Sequence, residues 1–370
     1  MSATTLPAPP APSAAPWTEL ERDWKLLVRC SENVNPFLSW EWLHAWASQL
    51  PSSVRPRVLV ERFPSGALAG LLALQLRRRQ GWRQLEFLGH GSGADDLDCL
   101  LHPNAPPHTA ARLLAAAGAQ PGWSLLRLES AAADGALAAS WPRAFAPAHR
   151  RTEGAEWLPT LALPCTWEAY LRAQSANFRA EVRRRQRRFF SRWPAARVVC
   201  ASTPAEITAA MPHLFRLHNL RRAHKRDRGI FASPRLRAFH LGAAPALAAS
   251  GLARLYLLHT DDGVAACLYG MEAGPPEARR FLYFQSGLDP ALAAFSPGTV
   301  LLSAIIQDCI TRRVRRFDFL RGEESYKKRW TTARHPSLRL LAARGPAGAA
   351  WLRLRDLSHR LRRIPAEANP

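Results

Sequence analysis

No run of about 18 apolar residues occurs anywhere in the 370-residue chain, so no transmembrane helix is expected. The opening MSATTLPAPPAPSAAP has neither the basic start nor the long apolar stretch of a signal peptide, and its Pro/Ala/Ser bias predicts a disordered tail over 1–16. The expectation is therefore a cytoplasmic protein without stable membrane insertion. Cysteine is scarce and scattered: Cys30, Cys99, Cys165, Cys200, Cys267 and Cys309 form no C-x-x-C pair and no zinc-spaced cluster, so buried free thiols in a reducing compartment are expected and no metal site. No Ser/His/Asp or Cys/His pattern marks a covalent nucleophile. Acidic residues are few as well. Twenty-nine Asp and Glu stand against 51 Lys and Arg, a formal charge of +22. That excess favours an anionic partner, whether a nucleotide cofactor, an acidic carrier protein, RNA or a lipid surface, without choosing among them.

What is present falls into two halves, each with apolar residues enough for a core of its own. In the first, Ser39 begins a helix over 40–50. Strands at 58–61 and 69–76 form a hairpin around the turn at Pro64–Gly66. A strand at 85–88, a helix over 108–117 and a strand at 124–128 follow. In the second, strands at 255–258 and 264–271 flank the turn Asp261-Asp262-Gly263. A strand at 281–285, a helix over 299–312 and a strand at 316–320 complete it. Both halves read hairpin, strand, helix, strand, the order of a mixed sheet with one βαβ crossover, and the fold class is α/β with mixed (α+β) sheets. The connecting 163–192 reads as helical and is dense in arginine.

Residues 281–330 carry the chemistry. Ser296-Pro297-Gly298-Thr299 reads as a helix start, with Ser296 at the cap and Pro297 in the first turn. Such an N-terminus after a strand offers free N–H groups and a positive dipole end to a pyrophosphate near Gly298, Thr299 and Val300; an ordinary capped helix is the alternative. Asp318, on a strand between Phe317 and Phe319, needs a partner if buried. It is either one half of a structural ion pair, with Arg321 or an arginine of the linker helix, or a general base. Glu323 and Glu324 occupy a turn. Lys327, between Tyr326 and Trp330 in a basic run, is the candidate for stabilising an oxyanion or a phosphate.

The run Y-F-Q-S-G-L-D-P, the S-P-G helix start and F-D-F-L-R-G-E-E-S-Y-K-K-R-W resemble the GNAT-type acetyltransferases associated with cellulose biosynthesis (the CelD/BcsL-like family). So do Pro36-Phe37-Leu38-Ser39-Trp40-Glu41-Trp42 and the arginine-rich 177–188. The resemblance covers roughly 35–345. It implies two tandem GNAT-like domains, over 17–160 and 161–345, with the active site in the second and a helical tail over 346–370. The layout is shared with the Fem aminoacyltransferases, whose aromatic-Lys step resembles Tyr326-Lys327; there the Lys is thought to stabilise carbonyl and phosphate charge. The usual GNAT phosphate loop is reduced here to Phe295-Ser296-Pro297-Gly298. In the first half, Gly89-His90-Gly91-Ser92-Gly93 leads into Asp95 and Asp96, which repel phosphate, so that half reads as scaffold.

The expectation drawn from this resemblance is an acyltransferase acting through a ternary complex, with acetyl-CoA or another acyl-CoA as donor and an amine or hydroxyl as acceptor, in polysaccharide or envelope biosynthesis. Asp318, Lys327, Tyr326 and Tyr283 are its catalytic candidates. Gln285, Ser286, Ser296, Pro297, Gly298, Thr299 and Val300 are the donor-binding ones, and Arg321, Glu323 and Trp330 face the acceptor. Two rivals stand beside it. One is a Fem-like enzyme taking its donor from aminoacyl-tRNA, and an acyl carrier protein in place of CoA is a further possible donor. The other is a basic adaptor with a decayed site.

Overall fold

The computed structural model describes residues 13–14, 17–31, 35–322 and 324–362. The chain divides into two compact units: Met1–Asn33, Leu50–Glu156 and Pro336–Pro370 make the first, and Val34–Gln49 with Trp157–His335 the second. Among the described residues no helix is long and apolar enough to cross a membrane. None of the six cysteines is in a disulfide. Cys99, Cys267 and Cys309 are buried as expected, but Cys30 and Cys165 are exposed.

In the first unit, strands Arg55–Arg62, Leu68–Arg79 and Trp82–Phe87 pair in sequence as an antiparallel meander. Helix Thr109–Ala119 then crosses over to strand Leu125–Ala132, parallel to Trp82–Phe87. Strand Arg334–Ala343 adds itself antiparallel to Leu125–Ala132. The acids after the glycine loop have a structural use. Asp98 accepts from the N–H groups of Ala136 at 2.6 Å and Leu137 at 2.9 Å, holding the start of helix Ala136–Ala144. Burial pushes its carboxyl up to about 6.

The second unit repeats the order. Strands Ala253–Thr260 and Gly263–Ala273 form the hairpin, with Gly263 at φ 117° where only glycine turns cheaply. Strand Arg280–Leu288 joins antiparallel, and helix Pro297–Thr311 crosses to the short strand Arg316–Asp318, parallel to Arg280–Leu288. Strand Arg150–Ala162 pairs antiparallel with Arg316–Asp318, and Arg197–Ala201 closes the other edge. The linker reading resolves into two helices, Trp167–Ala173 and Ala176–Arg192, both capped by a hydroxyl side chain. Val182 and Phe189 anchor the second of these in a core that includes Ile305, Ile306 and Phe317. Two further helices, Pro204–His224 and Pro234–Ala249, pack with Trp40–Ala47 around Phe284, whose ring meets those of Trp42 at 5.4 Å and His240 at 5.4 Å.

Candidate functional site

The site begins with two strands that part. Arg280–Leu288 and Arg316–Asp318 pair at three positions only, ending at Leu282 with Asp318. Just beyond, Leu320 takes φ 54° and Gly322 φ 109°, turning the chain away. From Tyr283 onward that edge of Arg280–Leu288 has no strand neighbour among the described residues. On its other edge, Gly270 pairs with Tyr283 and Tyr269 with Gln285, so Phe284 is the extra residue of a β-bulge. The bulge shifts the alternation by one. Tyr283 and Ser286 therefore face the same side, where the Tyr283 hydroxyl donates to Ser286 Oγ at 2.5 Å.

Against this open edge lies a cavity of about 270 Å³. Leu288, Pro297, Gly298 and Thr299 form one end; Tyr283, Ser286, Tyr326 and Arg221 form the other. Five residue steps of strand lead from Tyr283 to Leu288, roughly 16 Å at strand rise. Phe178, Leu301, Leu302 and Trp330 supply apolar wall, with Phe178 edge-on to Trp330 at 5.2 Å.

The Leu288 end is polarised. Pro297 occupies the first turn of the helix as expected, but Ser296 does not cap it with its side chain. Ser296 adopts φ 56° because it also closes the preceding 3-10 turn, its N–H bonding Ala293 O at 3.0 Å, and this swings its hydroxyl away from the first turn. The carbonyl of Ser296 accepts instead from Thr299 N at 3.0 Å and Val300 N at 3.2 Å. The helix start thus directs its positive dipole end at the cavity. Arg185 reaches over from Ala176–Arg192 and donates to Thr299 Oγ1 at 2.9 Å. Glu181 pairs with Arg185 at 2.5 Å and also with Arg329.

The Tyr283 end is a donor cluster. Arg221 donates to Ser286 Oγ at 2.8 Å, and its guanidinium lies 5.7 Å from the centre of the Tyr326 ring. With Arg221 and Tyr283 both donating to Ser286 Oγ, the serine proton is left to point elsewhere. Burial pushes the Tyr326 phenol well up, so it stays protonated. Burial also raises the thiol of Cys267, on the cavity wall, to about 12, which leaves it unsuited as a nucleophile near neutral pH.

Of the residues singled out in the sequence, the cavity brings together Tyr283, Ser286, Ser296, Pro297, Gly298, Thr299, Tyr326 and Trp330. Val300 is buried in the core below them. Gln285 is not on the wall, being next to the bulge. Asp318 is buried away from the cavity: its carboxylate takes the Thr160 hydroxyl at 2.8 Å, Arg316 Nε at 3.0 Å and Arg280 at 3.7 Å. Its cationic partners are thus neither Arg321 nor the linker arginines. Lys327 is buried but turned from the cavity. Its ammonium donates to the carbonyl of Arg321 at 2.6 Å and pairs with Glu324 at 2.9 Å, beside a second cavity of about 250 Å³ that also reaches Trp157, Lys328 and Arg334. Arg321 is exposed and lines neither. Glu323 lies outside the described residues. Sequence reading missed Arg221 and did not set Arg185 apart from its neighbours. Helical spacing of Phe178, Glu181, Arg185 and Phe189 was a signal for the latter; the former carried none.

Residues 176–328 match the acetyltransferase (GNAT) domain family, the stretch that holds every residue lining the first cavity except Arg329 and Trp330. No curated protein matches the sequence with significance. Among solved structures, the chain is similar to FemX (TM-score 0.61, 9% identity, 90% of this chain and 98% of that one). It is also similar to a conserved protein of unknown function from Bacteroides thetaiotaomicron (0.59, 11%, 91% and 100%). A third likeness is to the C-terminal domain of a lysylphosphatidylglycerol synthetase candidate from Agrobacterium fabrum (0.56, 12%, 92% and 96%). The fold is GNAT-like, with a mixed α/β architecture.

Proposed function

We propose that the second unit is an acyltransferase that takes its acyl group from an acyl-CoA, acetyl-CoA being the simplest, and delivers it to an amine or hydroxyl. The observation that carries this reading is the open edge of strand Arg280–Leu288 running from a polarised helix start to a cluster of neutral hydroxyls. The donor supplies an activated thioester. Gly298, Thr299 and Arg185 would hold its phosphates, since a helix N-terminus and a guanidinium suit them. Single-glycine approach at Gly298 is sufficient for this: a Cβ there would already meet Leu288 at 3.2 Å. The open edge of the main chain from Tyr283 to Leu288 offers hydrogen bonds to the pantetheine amides. Ser286, its oxygen fed by Arg221 and Tyr283, is positioned to donate to the thioester carbonyl. The acceptor nitrogen or oxygen bonds to the carbonyl carbon as the carbon–sulfur bond breaks. Tyr326 gives its proton to the departing thiolate and regains one from water, to which the acceptor loses its own. The raised thiol of Cys267 favours this direct route over a covalent intermediate.

The test is release of free thiol from acetyl-CoA by the full chain across an acceptor panel, for wild type, Tyr326→Phe and Ser286→Ala. Losses on the order of 10²–10³ in turnover with CoA affinity kept support the assignment. Turnover unchanged in both variants sinks it. A role in polysaccharide or envelope biosynthesis rests on the sequence resemblance. A second reading has its own observation: Arg183, Arg184, Arg187 and Arg188 are all exposed on the helix whose inner face carries Arg185. A row of this kind fits phosphates, and so an aminoacyl-tRNA donor. Binding to tRNA that weakens steeply with salt, alongside no acetyl-CoA turnover, is the outcome that favours it; donor binding without any turnover favours a non-catalytic adaptor.

A further inference from the structure

The cavity contains three cationic side chains, and their partners differ. Arg185 and Arg329 share the carboxylate of Glu181. Arg221 has no carboxylate within ion-pair distance among the described residues; its contacts are the Ser286 hydroxyl and the aromatic face of Tyr326. Glu324, the nearest acid along this segment, is engaged by Lys327. Glu324 acts on Arg221 through space, but no carboxylate among the described residues bonds it. Ser286 and Tyr326 are neutral hydroxyls, and the guanidinium keeps N–H groups beyond the one spent on Ser286. A half-buried guanidinium with no carboxylate bonded to it keeps N–H groups for a ligand, and the local packing brings it there. Gly287 allows this. A Cβ at that position would lie 2.3 Å from the backbone nitrogen of His218, so only glycine lets helix Pro204–His224 press onto the strand and drop Arg221 beside Ser286.

We propose that Arg221, through the guanidinium N–H groups not spent on Ser286, binds an anionic oxygen group of the acyl acceptor, a carboxylate or a phosphate. This rests on the acyltransferase reading and narrows it. Arg221 is 2.8 Å from the hydroxyl assigned to the thioester carbonyl, so the anion sits within a few bonds of the attacking atom. The phosphates of the donor are held roughly 16 Å away at the Leu288 end, which leaves this cation to the acceptor. The acceptor class is then a compact anion-bearing amine, an amino acid or a phosphorylated amino sugar, rather than a neutral sugar, a protein lysine or a simple polyamine.

The experiment is calorimetric titration of the full chain, saturated with CoA, using two matched pairs: serine against serinamide, and glucosamine 6-phosphate against glucosamine. The proposal expects one anionic probe to bind with its neutral counterpart at least about tenfold weaker, and the pair that discriminates names the source of the anion. Arg221→Met is expected to weaken that probe roughly 10- to 100-fold while CoA affinity stays within about threefold. Arg221→Lys, which keeps the charge but not the fork, should fall between and guards against a folding defect in the first variant. The proposal is overturned if the neutral partners bind as tightly, if both variants bind the anionic probe like wild type, or if neither anionic probe binds to chain that binds CoA. Failure of CoA itself to bind strikes the donor reading first, and is seen before any acceptor probe is added.

Discussion

Arg185 bonds Thr299 across 2.9 Å, tying the inner face of the arginine-rich helix to the start of the helix that faces the cavity. This contact converts one arginine out of a dense run into part of the proposed donor site. Arg185→Ala should weaken CoA binding about tenfold, with a shallower salt dependence, and leave the melting temperature within a few degrees. Arg184→Ala, one residue away on the exposed face, should change CoA affinity less than twofold. Equal effects of the two would mean that the run acts as a diffuse field and that Arg185 has no special place.

Gly287→Ala should cost more than about 2 kcal/mol of stability, because the added methyl meets main chain rather than a side chain that can turn aside. The variant should also lose discrimination between anionic and neutral acceptors, since moving the helix moves Arg221. Urea unfolding and acceptor titration read the two effects separately.

Asp318→Asn should behave as a stability variant. Its carboxylate joins Arg316, Arg280 and Thr160 inside the sheet, and losing that charge should cost about 1–3 kcal/mol, at the lower end because Arg316 is partly exposed. Turnover per folded molecule should stay within about threefold. A hundredfold fall in turnover with stability intact would restore the general-base role that the sequence suggested.

Buried histidines make the second unit acid-sensitive. Burial, with Arg222 adding to it, lowers His218 to about 4, and burial lowers His240 to about 3. Well above pH 6.5 both are neutral folded or unfolded, and stability is complete. As pH falls from 6.5 toward 4 the unfolded chain takes up protons that the folded one refuses, so stability is lost, on the order of 2–4 kcal/mol by pH 5. His240→Leu should remove about half of that loss when urea unfolding is compared at pH 7.5 and 5.0. A variant as pH-dependent as wild type would assign the loss to other groups.

The turn at Asp261-Asp262-Gly263, the strand beginning near Phe281 and the helix after Pro297 were legible because each is written in local signals: a turn dipeptide, apolar alternation, a proline in a first turn. The repeat of one order of elements in two halves was legible for the same reason. The helices Pro204–His224 and Pro234–Ala249 were not. Each carries a proline in its interior, Pro212 and Pro245, and each buries a histidine, which blurs the apolar stripe that marks a helix. Arg221 came with them, so the most informative cation of the cavity had no signal of its own. The bulge at Phe284 was equally hidden. Alternation alone puts Tyr283 and Ser286 on opposite faces, and only the tertiary register brings them together. Asp318 and Lys327 drew attention as charges among aromatics, a pattern that marks burial. It does not tell a buried ion pair from a catalytic group.

The most direct test of the account is the melting temperature of the full chain with CoA, with acetyl-CoA and longer acyl-CoAs, and with a polyanion of matched charge. A site in the cavity near Gly298 predicts a rise of a few degrees with acyl-CoA at about 100 times its dissociation constant, no comparable rise with the polyanion, and about half of that rise in Arg185→Ala at the same ligand concentration. No rise with any acyl-CoA, or the same rise with the polyanion, would contradict an acyl-CoA site there.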